Sequence, residues 1–252
     1  DLHRRLPAPA TDDEVGRLGR TLNDMLDRLE AAAEQQRRFV ADASHELRTP
    51  LTRMRSELEV DLAHPAGADL LATHRSALEE VDGLQRLVDD LLHLARQDAE
   101  PGGAGSDEIG LDDLVRAVAA ATPVPDGTVI DTSEVRSAQV RGHAGSLSRA
   151  VANLLDNAVR HAQGRVWIGV ADADGRARLV VDDDGPGIPV ADRQRVFERF
   201  TRLDDARTAD AGGAGLGLAI VHAVVSSHGG SVAIDARPGG GTRVTVDLPA
   251  LS

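Results

Sequence analysis

The sequence predicts two regions of different class: an α-helical hairpin that pairs with a second copy as a dimeric four-helix bundle, then an α/β sandwich. Three observations predict this. Apolar residues recur at steps of three and four from residue 18 to residue 95, with one interruption. Pro101-Gly102-Gly103-Ala104-Gly105-Ser106 then breaks the pattern as a flexible linker. Beyond it, short β-rich runs mix with helical stretches, the pattern of a sheet carrying helices on one face.

Thr11-Asp12-Asp13-Glu14 opens the first helix, a capping side chain followed by acids in the first turn. Leu18, Leu22, Met25, Leu29, Ala32, Gln36, Phe39 and Ala43 follow as a coiled-coil seam. The seam runs on through Leu47, Leu51, Met54, Leu58 and Leu62, with a phase slip between Ala43 and Leu47. His64-Pro65-Ala66-Gly67 ends it. A second helix is expected to turn Leu71, Leu78, Val81, Leu84, Val88, Leu91 and Ala95 inward. Two such helices cannot cover both their apolar faces, so the hairpin is expected to dimerise.

After the linker, helices are expected over 111–121, 145–161 and 215–228. Strands are expected over 129–131, 166–171, 177–181, 232–235 and 243–247, with Pro238-Gly239-Gly240-Gly241 as the last turn.

Composition excludes several chemistries. All 28 basic residues are Arg. Without Lys there is no Walker-A loop, no protein-kinase catalytic lysine and no Schiff base. Without Cys there is no thiol nucleophile, disulfide or thiolate-bound zinc. A net charge of -13 disfavours nucleic acid as a partner. No apolar run is long enough to cross a bilayer. A start at Asp1-Leu2-His3, without Met, is expected of a piece of a longer chain.

Four features carry chemistry. In Ser44-His45-Glu46-Leu47-Arg48-Thr49-Pro50-Leu51, His45 lies off the seam and faces solvent, Thr49 shares its face, and Pro50 costs a helix interior about 3 kcal/mol. In Asn153-Leu154-Leu155-Asp156-Asn157-Ala158-Val159-Arg160-His161, two amides at i,i+4 could ligate a hard cation such as Mg²⁺. Asp182-Asp183-Asp184-Gly185-Pro186-Gly187 follows a strand, where a buried carboxylate can accept a hydrogen bond from an exocyclic amine and glycines let a flat ring approach. Gly212-Gly213-Ala214-Gly215-Leu216-Gly217 feeds a helix N-terminus, which offers free N–H groups to phosphate. The polar stretch 190–211 before it is expected to be a mobile lid. Each feature alone also fits an ordinary surface helix, turn or loop.

Taken in order, 39–51, 153–161, 183–187, 196–202 and 213–218 resemble the H, N, glycine-rich, F and second glycine-rich boxes of the sensor histidine kinases of two-component systems. Residues 6–33 resemble the second half of a HAMP linker. The resemblance implies a GHKL/Bergerat-type ATP-binding fold behind the hairpin. It divides the chain into a HAMP and coiled-coil segment (1–38), a dimerisation and phosphotransfer domain (39–100), a linker (101–108) and a catalytic domain (109–252). It implies that His45 is the phosphoacceptor, that Glu46 orients and deprotonates its ring, and that Thr49 helps place water for dephosphorylating the partner. It implies that Asn157 ligates Mg²⁺, with Asn153 and Arg160 near the phosphates and His161 beside the nucleotide. It puts Asp183 on the adenine amine, with Gly185 and Gly187 letting the ring sit close. Arg202 would neutralise phosphate charge, Gly213, Gly215 and Gly217 would shape the phosphate cradle, and Thr242 would be a further contact. Asp184 stands where the family often has Asn, and Thr201 where it often has an aromatic residue.

The implied function is ATP-dependent autophosphorylation of His45, then transfer to an Asp of a response regulator, with regulator phosphatase activity as a companion. The alternatives are a phosphatase-dominant protein or a kinase-inactive, nucleotide-sensing scaffold. The resemblance also implies a homodimer whose parent protein sits at the cytoplasmic face of the membrane through upstream segments, this piece itself being soluble.

Overall fold

The computed structural model describes residues 14–65, 69–99, 107–201 and 214–251. The expected cap at Thr11, the turn residues Ala66 and Gly67, the linker 101–106, and 202–211 of the expected lid lie outside the described residues. The chain divides between Leu84 and Gln85 into two compact units.

The first unit is a helical hairpin of α1 (Glu14–Ala63) and the first part of α2 (Leu70–Ala99). Helix α1 runs unbroken through Pro50. Proline supplies no N–H to the carbonyl of Glu46. Around it the hydroxyls of Ser44, Thr49 and Thr52 donate to the carbonyls of Val40, His45 and Arg48 at 2.7, 3.2 and 2.9 Å. Such back-bonds accompany bent helices.

The single seam expected on α1 splits in two. Ala43, Leu47 and Met54 are half-buried, whereas Leu51, Leu58 and Leu62 are exposed. Of the set expected to turn inward on α2, Leu84 and Leu91 are half-buried, and Leu71, Leu78, Val81, Val88 and Ala95 are exposed in the single chain; the buried Leu87 and Leu94 lie in the second unit. Facing polar groups share the helix interface. Ser76 Oγ donates to Glu57 at 2.9 Å, and Arg53 lies 3.3 Å from both Glu57 and Glu80. These ion pairs keep much of their solvent and contribute less than about 1 kcal/mol each.

The second unit holds a five-stranded sheet in the order β2-β4-β5-β7-β6. Its strands are β2 (Val129–Val135), β4 (Arg165–Ala173), β5 (Arg176–Asp183), β6 (Ser231–Ala236) and β7 (Thr242–Pro249). β2 pairs parallel with β4, and the other neighbours pair antiparallel. A smaller antiparallel pair, β1 (Asp107–Gly110) with β3 (Gln139–Gly142), was not expected. Each has four residues, and Asp107, Glu108, Gln139 and Arg141 leave too little alternation to read.

Helices α3 (Leu111–Ala121), α4 (Ala144–His161) and α5 (Gly217–Ser227) pack against the sheet. The register aligns Ile168, Val181, Val244 and Ile234 across four strands, and all four are buried. Against this row α4 sets Leu147, Val151, Leu154, Leu155 and Ala158, and α5 sets Ala219, Ile220, Val221, Val224 and Val225. Burying each Leu or Val side chain stabilises by roughly 1.5–3 kcal/mol. The expected α/β sandwich is therefore what forms.

Most strands run longer than expected, β2 by four residues, and two of the boundary shifts have clear local reasons. Helix α5 begins at Gly217 because Gly215 has φ +67°, outside the right-handed helical region. Strand β5 runs through Asp182 and Asp183 because both polar ends find partners. On the face away from the helices, Asp182 accepts from Arg243 at 2.8 and 2.6 Å, and Arg237 stacks on Trp167 at 3.7 Å from the ring centre. Asp183 turns to the helix side.

Candidate functional site

Asp183 ends β5 with 3% of its surface exposed. A buried carboxylate must be met by donors. Here Oδ1 accepts the backbone N–H of Gly185 at 2.8 Å and that of Thr242 at 3.2 Å. Glycine is required around it. A Cβ on Gly185 would strike the carbonyl of His161, and one on Gly241 would strike the carbonyl of Asp183. Gly187 and Gly241 also hold φ of +80° and +100°, which L side chains rarely adopt. The end of β5, the start of β7 and the last turn of α4 thus meet in one close-packed floor containing Asp183, Gly185, Gly187, Thr242 and His161. Gly241 belongs to that floor, although the sequence showed it only as a turn glycine.

Asp184 points elsewhere. Its carboxylate accepts the backbone N–H groups of Gln163, Gly164 and Arg165 at 2.8 to 3.2 Å, closing the turn from α4 into β4. Desolvation alone would raise its pKa, but the N–H groups of Arg165, Gln163 and Gly164 together outweigh it and hold the carboxyl below its ordinary value. Its part is to fix the loop under the floor. His161 is pushed the other way from a typical imidazole in contact with acid. Desolvation and then Arg160 lower its pKa from 6.5, and Asp183 only partly opposes them. The fold therefore favours the neutral form of the ring.

Helix α4 carries the second half of the site. Asn153 and Asn157 are half-buried and one turn apart. Asn153 Nδ2 is buried with no hydrogen-bond partner. A buried donor left unmade costs about 1–3 kcal/mol, so an acceptor reaching this amide, from solvent or a ligand, would be stabilising. Gly217, the first residue of α5, lies against it: a Cβ there would sit 3.4 Å from Asn153 Oδ1. The free N–H groups of the α5 start therefore adjoin that amide. Arg160 is exposed on the last turn of α4.

The glycine-rich loop is anchored on the F-box segment. Phe200 N–H donates to the Gly215 carbonyl at 2.9 Å, and a Cβ on Gly215 would come within 2.8 Å of Thr201 O. Phe200 itself holds φ +60°, a strained value for a bulky residue. Phe197 packs on His222 of α5 with ring centres 5.7 Å apart. Arg202 and Gly213 lie outside the described residues.

In the helical unit His45 is exposed on α1 and Glu46 is half-buried. Thr49 is exposed, and its hydroxyl donates to the His45 carbonyl at 3.2 Å. His45, Arg48, Thr49, Thr52, Arg53 and Ser56 line one shallow groove along the helix. The structure thus brings Asn153, Asn157, His161, Asp183, Gly185, Gly187, Gly215, Gly217 and Thr242 together in the sheet unit. His45, Glu46 and Thr49 stand as a separate group on the hairpin.

Comparison with known proteins accords with this layout. Three family models match in order: the HAMP domain over residues 1–31, the His Kinase A (phospho-acceptor) domain over 35–100, and the histidine kinase-, DNA gyrase B- and HSP90-like ATPase over 142–252. The sensor protein CutS of Streptomyces coelicolor is 38% identical, over 99% of this chain and 61% of its own length. The signal transduction histidine-protein kinase/phosphatase MprB of Mycolicibacterium vanbaalenii is 40% identical, over 94% of this chain and 51% of its own. The solved structure of a mycobacterial sensor histidine kinase MprB superposes with a TM-score of 0.50 at 33% identity, covering 57% of this chain and 97% of that one. The chain spans less than two thirds of the length of these curated relatives. Helical hairpin, glycine-floored sheet unit and the three matches in sequence agree, and the chain belongs to the sensor histidine kinases of two-component systems.

Proposed function

We propose that the chain binds ATP in the sheet unit, phosphorylates itself on His45, and passes the phosphoryl group to an aspartate of a response regulator. The observation that carries this reading is the buried Asp183 carboxylate on its glycine floor beside the unpartnered amide of Asn153. Asp183 accepts the adenine amine, and Gly185 and Gly187 let the ring lie close. Asn153, Arg160, the start of α5 with Gly215 and Gly217, and Thr242 face the rest of the nucleotide. Arg202 and Gly213 complete the set by their place in the sequence.

Among the described residues no group of three His, Asp or Glu side chains could hold a metal ion. Asn157 would therefore share Mg²⁺ with the phosphates, and the bound ion neutralises their charge. A chain without lysine must otherwise meet that charge with Arg and backbone N–H groups. His45 attacks the γ-phosphorus through one ring nitrogen. The bond to the β-phosphate oxygen breaks, ADP leaves, and Glu46 takes the proton from the other ring nitrogen. Dephosphorylation of the regulator is a second activity. Thr49 favours it: the hydroxyl proton is committed to the His45 carbonyl, so its oxygen is left to accept from water.

In this reading residues 1–38 relay a signal, 39–100 dimerise and dock the regulator, 101–108 link, and 109–252 catalyse. The exposed Leu51, Leu58, Leu62, Leu71 and Leu78 form the face for a second copy. A membrane anchor upstream fits the HAMP match. The test is incubation with γ-labelled ATP and Mg²⁺. His45→Gln should abolish labelling while nucleotide still binds, and label persisting in that variant would overturn the assignment.

A further inference from the structure

We propose that His228 is a positioning residue for the nucleotide site, pinning the start of α4 to the end of α5 so that Asn153 and Asn157 face the phosphates; this rests on the ATP-binding reading above.

His228 caps the C-terminus of α5 and is 8% exposed. Its ring is fixed on both sides. Nδ1 lies 2.7 Å from the Val224 carbonyl, which can only accept, so Nδ1 carries the proton. Nε2 is then bare, and it accepts the backbone N–H of His143 at 3.2 Å. Gly142 makes the approach possible, since a Cβ there would strike the ring at Cδ2.

His143 is the N-cap of α4, and its own Nδ1 accepts the N–H of Ser146 at 3.3 Å. The ring of one helix thus supports the amide that begins the other. At the other end of α5, Gly217 lies against Asn153, about midway along α4. The two helices run antiparallel, with contacts at both ends of α5 and the unpartnered Asn153 amide at one of them.

An α-helix is stiff along its axis, and Asn153 stands about 15 Å along α4 from the His143 cap. A shift or rotation at the cap therefore carries Asn153 and Asn157 with it. Asp183 and Thr242 ride on β5 and β7, so the adenine floor meets α4 only at the His161 carbonyl. Loss of the pin lowers the fraction of molecules with the amides correctly aimed, and apparent affinity falls by that fraction. The loss falls mainly on the phosphate half of the ligand.

The test is calorimetric titration of the full chain at pH 8 with Mg²⁺ and a non-hydrolysable ATP analogue, and separately with adenosine. His228→Phe removes the ring's hydrogen bonds with Val224 and His143 and its contact with Ser227 Oγ. It should weaken the analogue about tenfold, the effect of one buried hydrogen bond left unmade, and change adenosine less than about twofold. His228→Gln restores an acceptor for the His143 N–H and should recover most of the loss. If the Phe variant does not melt cooperatively, Gly142→Ala crowds the ring off the amide and should show the same split. Equal losses for analogue and adenosine, unchanged analogue affinity in a folded variant, or no recovery with Gln would each overturn the role. A wild-type chain that binds neither ligand overturns the ATP reading itself.

Discussion

The hairpin and the sheet unit are made from almost the same apolar residues, Leu, Val, Ile and Ala with very few aromatics, yet they treat them in opposite ways. In the sheet unit Leu155, Val166, Ile220 and Val221 are 0% exposed, and the Ile168 row closes against α4 and α5. In the hairpin Leu58, Leu71 and Leu78 are 42%, 73% and 65% exposed. Three helices and a sheet can enclose a core, but two helices meet along a single line. Among the described residues the core of the sheet unit closes within one chain and leaves the Asn153 amide without a partner, whereas the hairpin has an apolar stripe left over. One unit is suited to hold a ligand and the other to meet a second copy.

The contrast is broken most severely at Gly241. Gly241→Ala drives a methyl group into the Asp183 carbonyl at φ +100°, and neither backbone segment can yield without opening the floor. The strain should cost about 3 kcal/mol or more. Nucleotide binding should vanish and the sheet unit should melt at lower temperature, while the helical signal of the hairpin persists. Scanning calorimetry with circular dichroism reads both, and a variant that binds nucleotide normally would remove Gly241 from the floor.

A smaller effect should fall only on the hairpin. Leu58→Asp together with Leu78→Asp places charges in the exposed stripe. Sedimentation should show the dimer replaced by monomer, with nucleotide affinity unaltered. Had these leucines been core residues, the double variant would fail to fold instead.

The smallest effect concerns pH. The fold lowers the pKa of His161 below 6.5, so the neutral ring is the form it favours. Its contribution is present above 6.5 and is lost as the pH falls below that value and the folded ring is forced to protonate. The residue keeps surface exposure, which makes the effect slight. His161→Gln should flatten the fall in melting temperature of the sheet unit on acidification and leave dimerisation untouched. An unchanged slope would show that His161 does not contribute to it.

Much of the sheet unit was legible because its signals are local. The stripe from Leu147 to Ala158 has helical spacing, the runs at Val166 and Ala177 are β-rich, and turn glycines separate them. Asp183 and the asparagines stand out by residue type and spacing. What could not be read were contacts between segments far apart in the chain. Asp184 looks like its neighbours in Asp182-Asp183-Asp184, yet the three carboxylates meet Arg243, a glycine floor and a helix-terminal turn. The division of the hairpin seam into half-buried Leu47 and Met54 and exposed Leu51 and Leu58 was hidden too, since a three-four spacing fits either face.

By itself the sequence determined the helical hairpin, a sheet carrying helices on one face, and which residue types can do chemistry, because spacing and glycine placement act within a few residues. Tertiary structure alone decided that Gly241 must lie against Asp183, that Asn153 is left with an unpartnered donor, and that His228 reaches across to His143. Those facts depend on which backbone groups from distant segments arrive at the same place. No periodicity records that, since hydrogen bonding and close packing are satisfied in space rather than along the chain.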